Sequence, residues 1–330
     1  MAMERFAVGP RCMRCTVPEP DRFLEDVLAG LRGEQKTLPC KYLYDARGSL
    51  LFEEICELDE YYPTRTEFDI MESSVADMAG HLGESVLLIE YGSGSSRKTR
   101  LLLDAMRAPA GYVPIDISGE ILEESASAIV QRYPGLEVFP ICADYLMPLQ
   151  IPKLAKSVSR SVVYFPGSTI GNFRPEEALE FLNRVAHLIG EGGGLLIGVD
   201  LRKEPDVLRR AYDDSNGVTA AFNRNLLTRI NRELAGEFPE EAFRHESFWN
   251  KDHGRIEMHL VCETACRVAV GAEFISFSAG ESIVTEYAYK YEVGEFQSLA
   301  SKAGFTPQAV WTDPEEKFSV HYFNVRQSHL

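Results

Sequence analysis

The sequence predicts an α/β protein: a doubly wound parallel sheet joined to a second, α+β domain. Two observations carry this. Between Val86 and Asp200, short apolar runs alternate with helical stretches, which is how parallel strands with crossover helices are written. After Asp200 that rhythm breaks, and it returns only near residue 294.

The elements follow in order. Val86–Tyr91 is an almost wholly apolar run ending in Gly92-Ser-Gly94, which suits a strand buried on both faces. A helix through Leu101–Met106 leads to a second strand, Tyr112–Ile115, that ends at Asp116. Ser118 and Glu120 open a helix reaching about Arg132. Leu136–Ile141 is a third strand running out at Ala143-Asp144-Tyr145, and Val162–Phe165 a fourth, followed by Pro166-Gly167-Ser168. Ala178, Leu182, Val185 and Ile189 form one apolar stripe on a helix over 176–189. Gly192–Gly194 stops it, and Leu195–Val199 is a fifth strand ending at Asp200.

Residues 201–240 then read as helical, and 241–290 alternate as strands. A helix to Ala303 and strands near Ala309–Trp311 and Phe318–Val325 resume the first pattern. The expected division is a core of 75–200 plus 291–330, a second domain from 20–74 plus 201–290, and an N-terminal tail over 1–19.

Composition narrows the function. The chain has 330 residues with a formal charge of −16, is 45% hydrophobic and 25% charged, and so reads as a soluble globular protein. A nucleic-acid partner needs a basic face, and no basic run of five exists here. No apolar run approaches the roughly 18 residues of a membrane span. The N-terminus carries Arg5, Arg11 and Arg14 without a signal-peptide core. Seven scattered cysteines then read as reduced thiols, and a cytoplasmic location is expected. Cys12 and Cys15 form one C-x-x-C with no second pair or His nearby, so no metal site is expected.

Ligands of an open parallel sheet bind beyond the carboxyl ends of its strands. Those ends carry Glu90-Tyr-Gly92-Ser-Gly94, Asp116, Asp144 and Phe165-Pro-Gly167. The dinucleotide fingerprint requires a third glycine where this chain has Arg97. An acid before the glycines, an acid after strand two and Asp144-Tyr145 after strand three suit S-adenosyl-L-methionine instead. Its amino-acid tail, ribose and adenine amine match those three places. Lys98 is placed to pair with the tail carboxylate; a solvated helix lysine is the alternative.

At these residues the chain resembles the ergothioneine-pathway L-histidine Nα-methyltransferase family. The matching stretches include Lys41-Tyr-Leu-Tyr-Asp45, Tyr61-Tyr-Pro-Thr-Arg-Thr-Glu67, Glu90-Tyr-Gly-Ser-Gly94 and Phe165-Pro-Gly-Ser-Thr-Ile-Gly-Asn172. Tyr212-Asp-Asp214, Phe222-Asn-Arg-Asn225 and Arg255-Ile-Glu-Met-His259 continue the match, which spans about 20–325. The resemblance implies a class I methyltransferase sheet with a substrate-binding lid domain, and trimethylation of the α-amine of free histidine. It implies cofactor contacts at Gly92, Lys98, Asp116, Asp144 and Tyr145, to which the strand-end pattern adds Glu90 and Gly94. It also implies that Asn172 and Tyr212 bind the substrate carboxylate and that Tyr62 lies beside the amine as the catalytic residue. Tyr62 also reads as a loop staple, and Tyr212 as a solvated helix start.

The family reads its substrate side chain with a Glu and, two residues on, a Ser. In Thr285-Glu-Tyr-Ala-Tyr-Lys290 the Glu is Glu286, but Ala288 stands in place of the Ser. A lost hydrogen bond is worth about 0.5–1.5 kcal/mol, so histidine binding is weakened, water fills the gap, or a different side chain is read. Met258 is expected to line the same pocket, or to be an ordinary core methionine.

Methyl transfer to nitrogen is an in-line displacement with a neutral leaving group. The protein supplies alignment and a neutral amine, with no strong general base expected. The alternatives are an Nα-methyltransferase for another amino acid such as tryptophan or tyrosine, and a non-catalytic S-adenosyl-L-methionine sensor. A nicotinamide dehydrogenase is disfavoured by Arg97. The partner expected is a small-molecule amino acid, bound by a monomer.

Overall fold

The structure is a computed structural model that describes residues 15–16, 20–94 and 96–327. Cys12, and so the C-x-x-C reading, lies outside the described residues. The main sheet contains β1 (Val86–Tyr91), β2 (Gly111–Asp116), β3 (Ile141–Ala143), β4 (Arg160–Phe165), β5 (Gly194–Asp200), β6 (Phe305–Thr312) and β7 (Phe318–Val325). Their order is β3-β2-β1-β4-β5-β7-β6. Strands β1 to β5 run parallel, whereas β7 is antiparallel to both β5 and β6. Every residue of β1 and β5 is buried, as expected of strands covered by helices on both faces.

Three details differ from the sequence reading. The third strand is split into Glu137–Val138 and Ile141–Ala143, because Pro140 lacks the N–H needed to continue the ladder. Within the stretch read as a tail, Cys15–Thr16 pairs in parallel with Cys142–Ala143 at the sheet edge. A division at 74/75 falls inside a single helix, Tyr62–Leu82. That helix starts with Pro63 in its first turn and has nothing to stop it before Gly83. Its Tyr62 belongs to the apolar cluster of the second core, while Ile70, Met71, Met78 and Leu82 pack under the main sheet.

The second core is built on an antiparallel sheet, Phe243–Asn250, Arg255–Cys262 and Ser282–Tyr289, with Lys36–Thr37 added in parallel. Helices Pro20–Leu31, Ala46–Cys56 and Val218–Glu233 contribute to its apolar cluster through Val27, Leu51 and Leu226. Several matched motifs act as braces here. Asp45 accepts from Gly48 N at 2.8 Å, capping helix 46–56, and also from Asn225 Nδ2 and Arg232 at 2.7 Å each. Asp214 accepts from Val218 N at 3.0 Å and Thr219 N at 2.7 Å at the open start of helix 218–233. Glu257 gathers Arg255, His259 and Asn250, each within 3.0 Å, and this network holds its carboxyl down at about 2 although burial opposes it.

Candidate active site

A cavity of about 1690 Å3 opens over the carboxyl ends of the parallel strands, where the second core overhangs them. Gly92 and Gly94 line it, with φ of +73° and +42° that favour glycine, and a Cβ at either would meet only open space. The loop therefore presents bare backbone to a ligand. Ser93 Oγ beside it is buried and has no hydrogen-bond partner among the described residues. Asp116, at the end of β2, accepts from Gly94 N at 3.3 Å and Ser118 N at 2.9 Å, so its carboxylate is held in place with lone pairs left over. Burial pushes its pKa above the ordinary value. Asp144 follows β3, accepts from Leu146 N at 2.9 Å and has Lys41 Nζ at 3.5 Å. Tyr145 lies flat on Tyr91, with centroids 5.4 Å apart and 7° between the planes. A spare-handed carboxylate, a bare loop and an unspent hydroxyl fit a ribose-bearing cofactor.

Two of the residues expected to contact the cofactor line the cavity and are also bonded within the protein. Glu90 accepts from Thr99 Oγ1 at 2.6 Å and from the Tyr112 hydroxyl, so both its oxygens tie the glycine loop's helix to β2. Burial pushes its carboxyl up to about 8. Lys98 lines the cavity, but its ammonium is paired with the fully buried Glu67, which also accepts from Gly167 N at 2.9 Å. Neither bond was legible locally, since Glu67 lies 31 positions before Lys98.

A smaller chamber of about 50 Å3 adjoins the cavity; Asn172 and Glu286 border both. Asn172 ends the short turn Thr169–Asn172. Gly171 in that turn has room only for hydrogen, because a Cβ there would lie 2.7 Å from Tyr289 O. Tyr212 lines the chamber and is steadied through its backbone by His245. Asn223 Nδ2 approaches His245 Nδ1 at 2.9 Å, so the other ring nitrogen, Nε2, carries the hydrogen donated to Tyr212 O at 2.9 Å. Burial lowers the His245 pKa and keeps the ring neutral. Tyr62 lines the larger cavity, and its hydroxyl lies 2.7 and 2.8 Å from the two oxygens of Asp200.

The chamber is also lined by Glu286, directly across the strand pair from Met258. Burial raises the Glu286 carboxyl to about 7 despite the pull of Lys290, and the side chain has no hydrogen-bond partner among the described residues. Met258 lines the chamber and also belongs to the apolar cluster of the second core. Ala288 does not line the chamber. It shares the Glu286 face of the strand, but its methyl is buried in the apolar cluster of the second core, opposite Ile256. Residues missed by sequence reasoning include Tyr44, Phe52 and Tyr61, which supply aromatic walls, and the Asp200-Lys203-Lys290 cluster beneath the tyrosines. Asp200 stands at a strand end, which was its available signal.

A seventh strand inserted antiparallel beside the fifth, with an acid after β2 and a glycine turn after β1, defines a class I S-adenosyl-L-methionine-dependent methyltransferase. The chain belongs to the family described as histidine-specific, SAM-dependent methyltransferases, whose model matches residues 23–325. It is 44% identical over 301 residues to a histidine N-alpha-methyltransferase of Mycolicibacterium smegmatis, covering 89% of this chain and 92% of that protein. A Mycobacterium tuberculosis protein of the same name is 41% identical over the same shares. The Schizosaccharomyces pombe ergothioneine biosynthesis protein 1 is 30% identical across 81% of this chain and 36% of its own length.

Proposed function

We propose that this enzyme methylates the α-amine of free L-histidine, in three successive transfers, as a step of ergothioneine biosynthesis. The observation that carries the reading is the distribution of polar groups around the small chamber. Asn172, Tyr212 and the buried Glu286, which has no hydrogen-bond partner among the described residues, line it together. A zwitterion with a hydrogen-bonding side chain needs that arrangement: neutral donors for its carboxylate and an acceptor for the imidazole N–H. S-adenosyl-L-methionine, when bound, supplies an electrophilic methyl on a sulfonium. Gly92, Gly94, Asp116, Asp144 and Tyr145 are the residues that would hold it, with Lys98 at the rim.

The chain's own contribution to the transfer is alignment. Tyr62 holds the amine, and the carboxylate and imidazole contacts restrict its rotation. None of the described helices is long and apolar enough to cross a membrane. Cys40, Cys56, Cys262 and Cys266 are free thiols, and the reading of a cytoplasmic setting accords with them.

The test is to incubate the protein with S-adenosyl-L-methionine and each of the twenty amino acids, following product masses. Methylated product from histidine alone is expected. Product from a different amino acid, or none, would overturn the reading.

A further inference from the structure

Below the chamber, Asp200 is fully buried between two lysines. Lys203 Nζ lies 2.6 Å from Asp200 Oδ1, and Lys290 Nζ lies 2.6 Å from Oδ2. Each ammonium also reaches one tyrosine: Lys203 Nζ is 2.6 Å from the Tyr62 hydroxyl, and Lys290 Nζ is 2.8 Å from the Tyr212 hydroxyl. Burial acts to raise the Asp200 pKa, yet Lys290 and Lys203 hold it below the ordinary carboxylate range. Both phenols are pushed well above their usual value, first by burial and then by Asp200, and so keep their protons.

An ammonium donates and cannot accept. Both hydroxyl oxygens therefore accept from a lysine, but their protons have different destinations. Tyr62 donates its proton to Asp200, at 2.7 and 2.8 Å. What remains on Tyr62 is a lone pair. Tyr212 has no acceptor for its proton among the described residues, so that proton is free for the chamber. Two chemically identical groups are thus left with opposite polarity.

We propose that Lys203, Asp200 and Lys290 are positioning residues that make Tyr62 an acceptor for the substrate amine and Tyr212 a donor to its carboxylate, so that the amino acid binds in one orientation. This rests on the reading that an α-amino acid occupies the chamber. It extends that reading by assigning the direction of each hydrogen bond to a buried cluster that touches no substrate.

The test measures inhibition of histidine methylation by two analogues, histamine, which lacks the carboxylate, and imidazolepropionate, which lacks the amine. Lys290→Met is expected to weaken imidazolepropionate about tenfold or more while leaving histamine within about twofold. Lys203→Met is expected to do the reverse. Affinity for S-adenosylhomocysteine serves as the folding check, and Lys→Arg at each position is expected to restore most of the loss. Should the Met variants not fold, Tyr212→Phe and Tyr62→Phe take their place with the same opposite selectivity expected.

Equal weakening of both analogues, or no change, would overturn the polarity assignment while histidine turnover stood. So would an unsubstituted enzyme that methylates histidine but is inhibited by neither analogue. An unsubstituted enzyme that does not turn over histidine would instead overturn the substrate reading, and the assignment with it.

Discussion

Glu67 presses against Gly198: a Cβ on residue 198 would lie 2.1 Å from Glu67 Oε1. The contact joins the helix that carries Tyr62 to the middle of β5, and Glu67 also accepts from Gly167 N and pairs with Lys98. Gly198→Ala should therefore displace a buried carboxylate from three contacts. Overpacking of this kind costs about 1–3 kcal/mol. A fall of several degrees in the thermal midpoint is expected by calorimetry, together with weaker binding of S-adenosylhomocysteine because Lys98 loses its anchor.

Asp116 offers the cavity a carboxylate already oriented by Gly94 N and Ser118 N. A hydrogen bond to a charged group is worth about 1.5–3 kcal/mol. Asp116→Ala is expected to weaken S-adenosylhomocysteine about 10- to 100-fold in isothermal titration, with little change in KM for histidine at saturating cofactor.

Glu286 sets a pH dependence. Burial raises its carboxyl to about 7, so the ionised form, which accepts from an imidazole N–H, prevails only above that pH. As pH falls through 7 the carboxyl gains a proton and the acceptor is lost. Free histidine also begins to protonate its ring near 6.5. KM for histidine should rise steadily as pH drops from 8 to 6. In Glu286→Gln it should be higher at pH 8 and flatter with pH, leaving only the ring's own titration.

Tyr62 is hydrogen-bonded to Asp200 and Lys203 and keeps its proton, because burial and the Asp200 charge both raise its pKa. It is thus no strong base. Loss of a general base typically costs 10²- to 10⁴-fold. The expected fall in kcat for Tyr62→Phe is less than about a hundredfold, measured at saturating substrates, and a larger fall would mean that Tyr62 moves a proton in the rate-limiting step.

The parallel strands were legible because each is a short apolar run closed by a glycine or an acid, as with Val86–Tyr91 before Gly92 and Gly111–Asp116. The glycine turn, Asp116 and the Asp144-Tyr145 pair were legible for the same reason, since strand ends collect ligand-binding groups. Lys98 was legible as a cavity residue but not as the partner of Glu67. Ala288 was legible as a departure from a motif, yet alternation along a strand says only which face it shares with Glu286, not how deep its methyl lies.

Local chemistry along the chain thus determined the alternating core, the cofactor-binding strand ends and the motifs that mark the substrate chamber. Only the tertiary structure decided how the polar groups are spent. Glu90 turned inward to Thr99 and Tyr112. Lys290, one residue beyond the strand that bears Glu286, met Asp200 at the end of β5 and polarised a tyrosine 78 positions away. A lone pair's destination depends on which distant donor packs against it under low dielectric, and spacing along the chain carries no record of that.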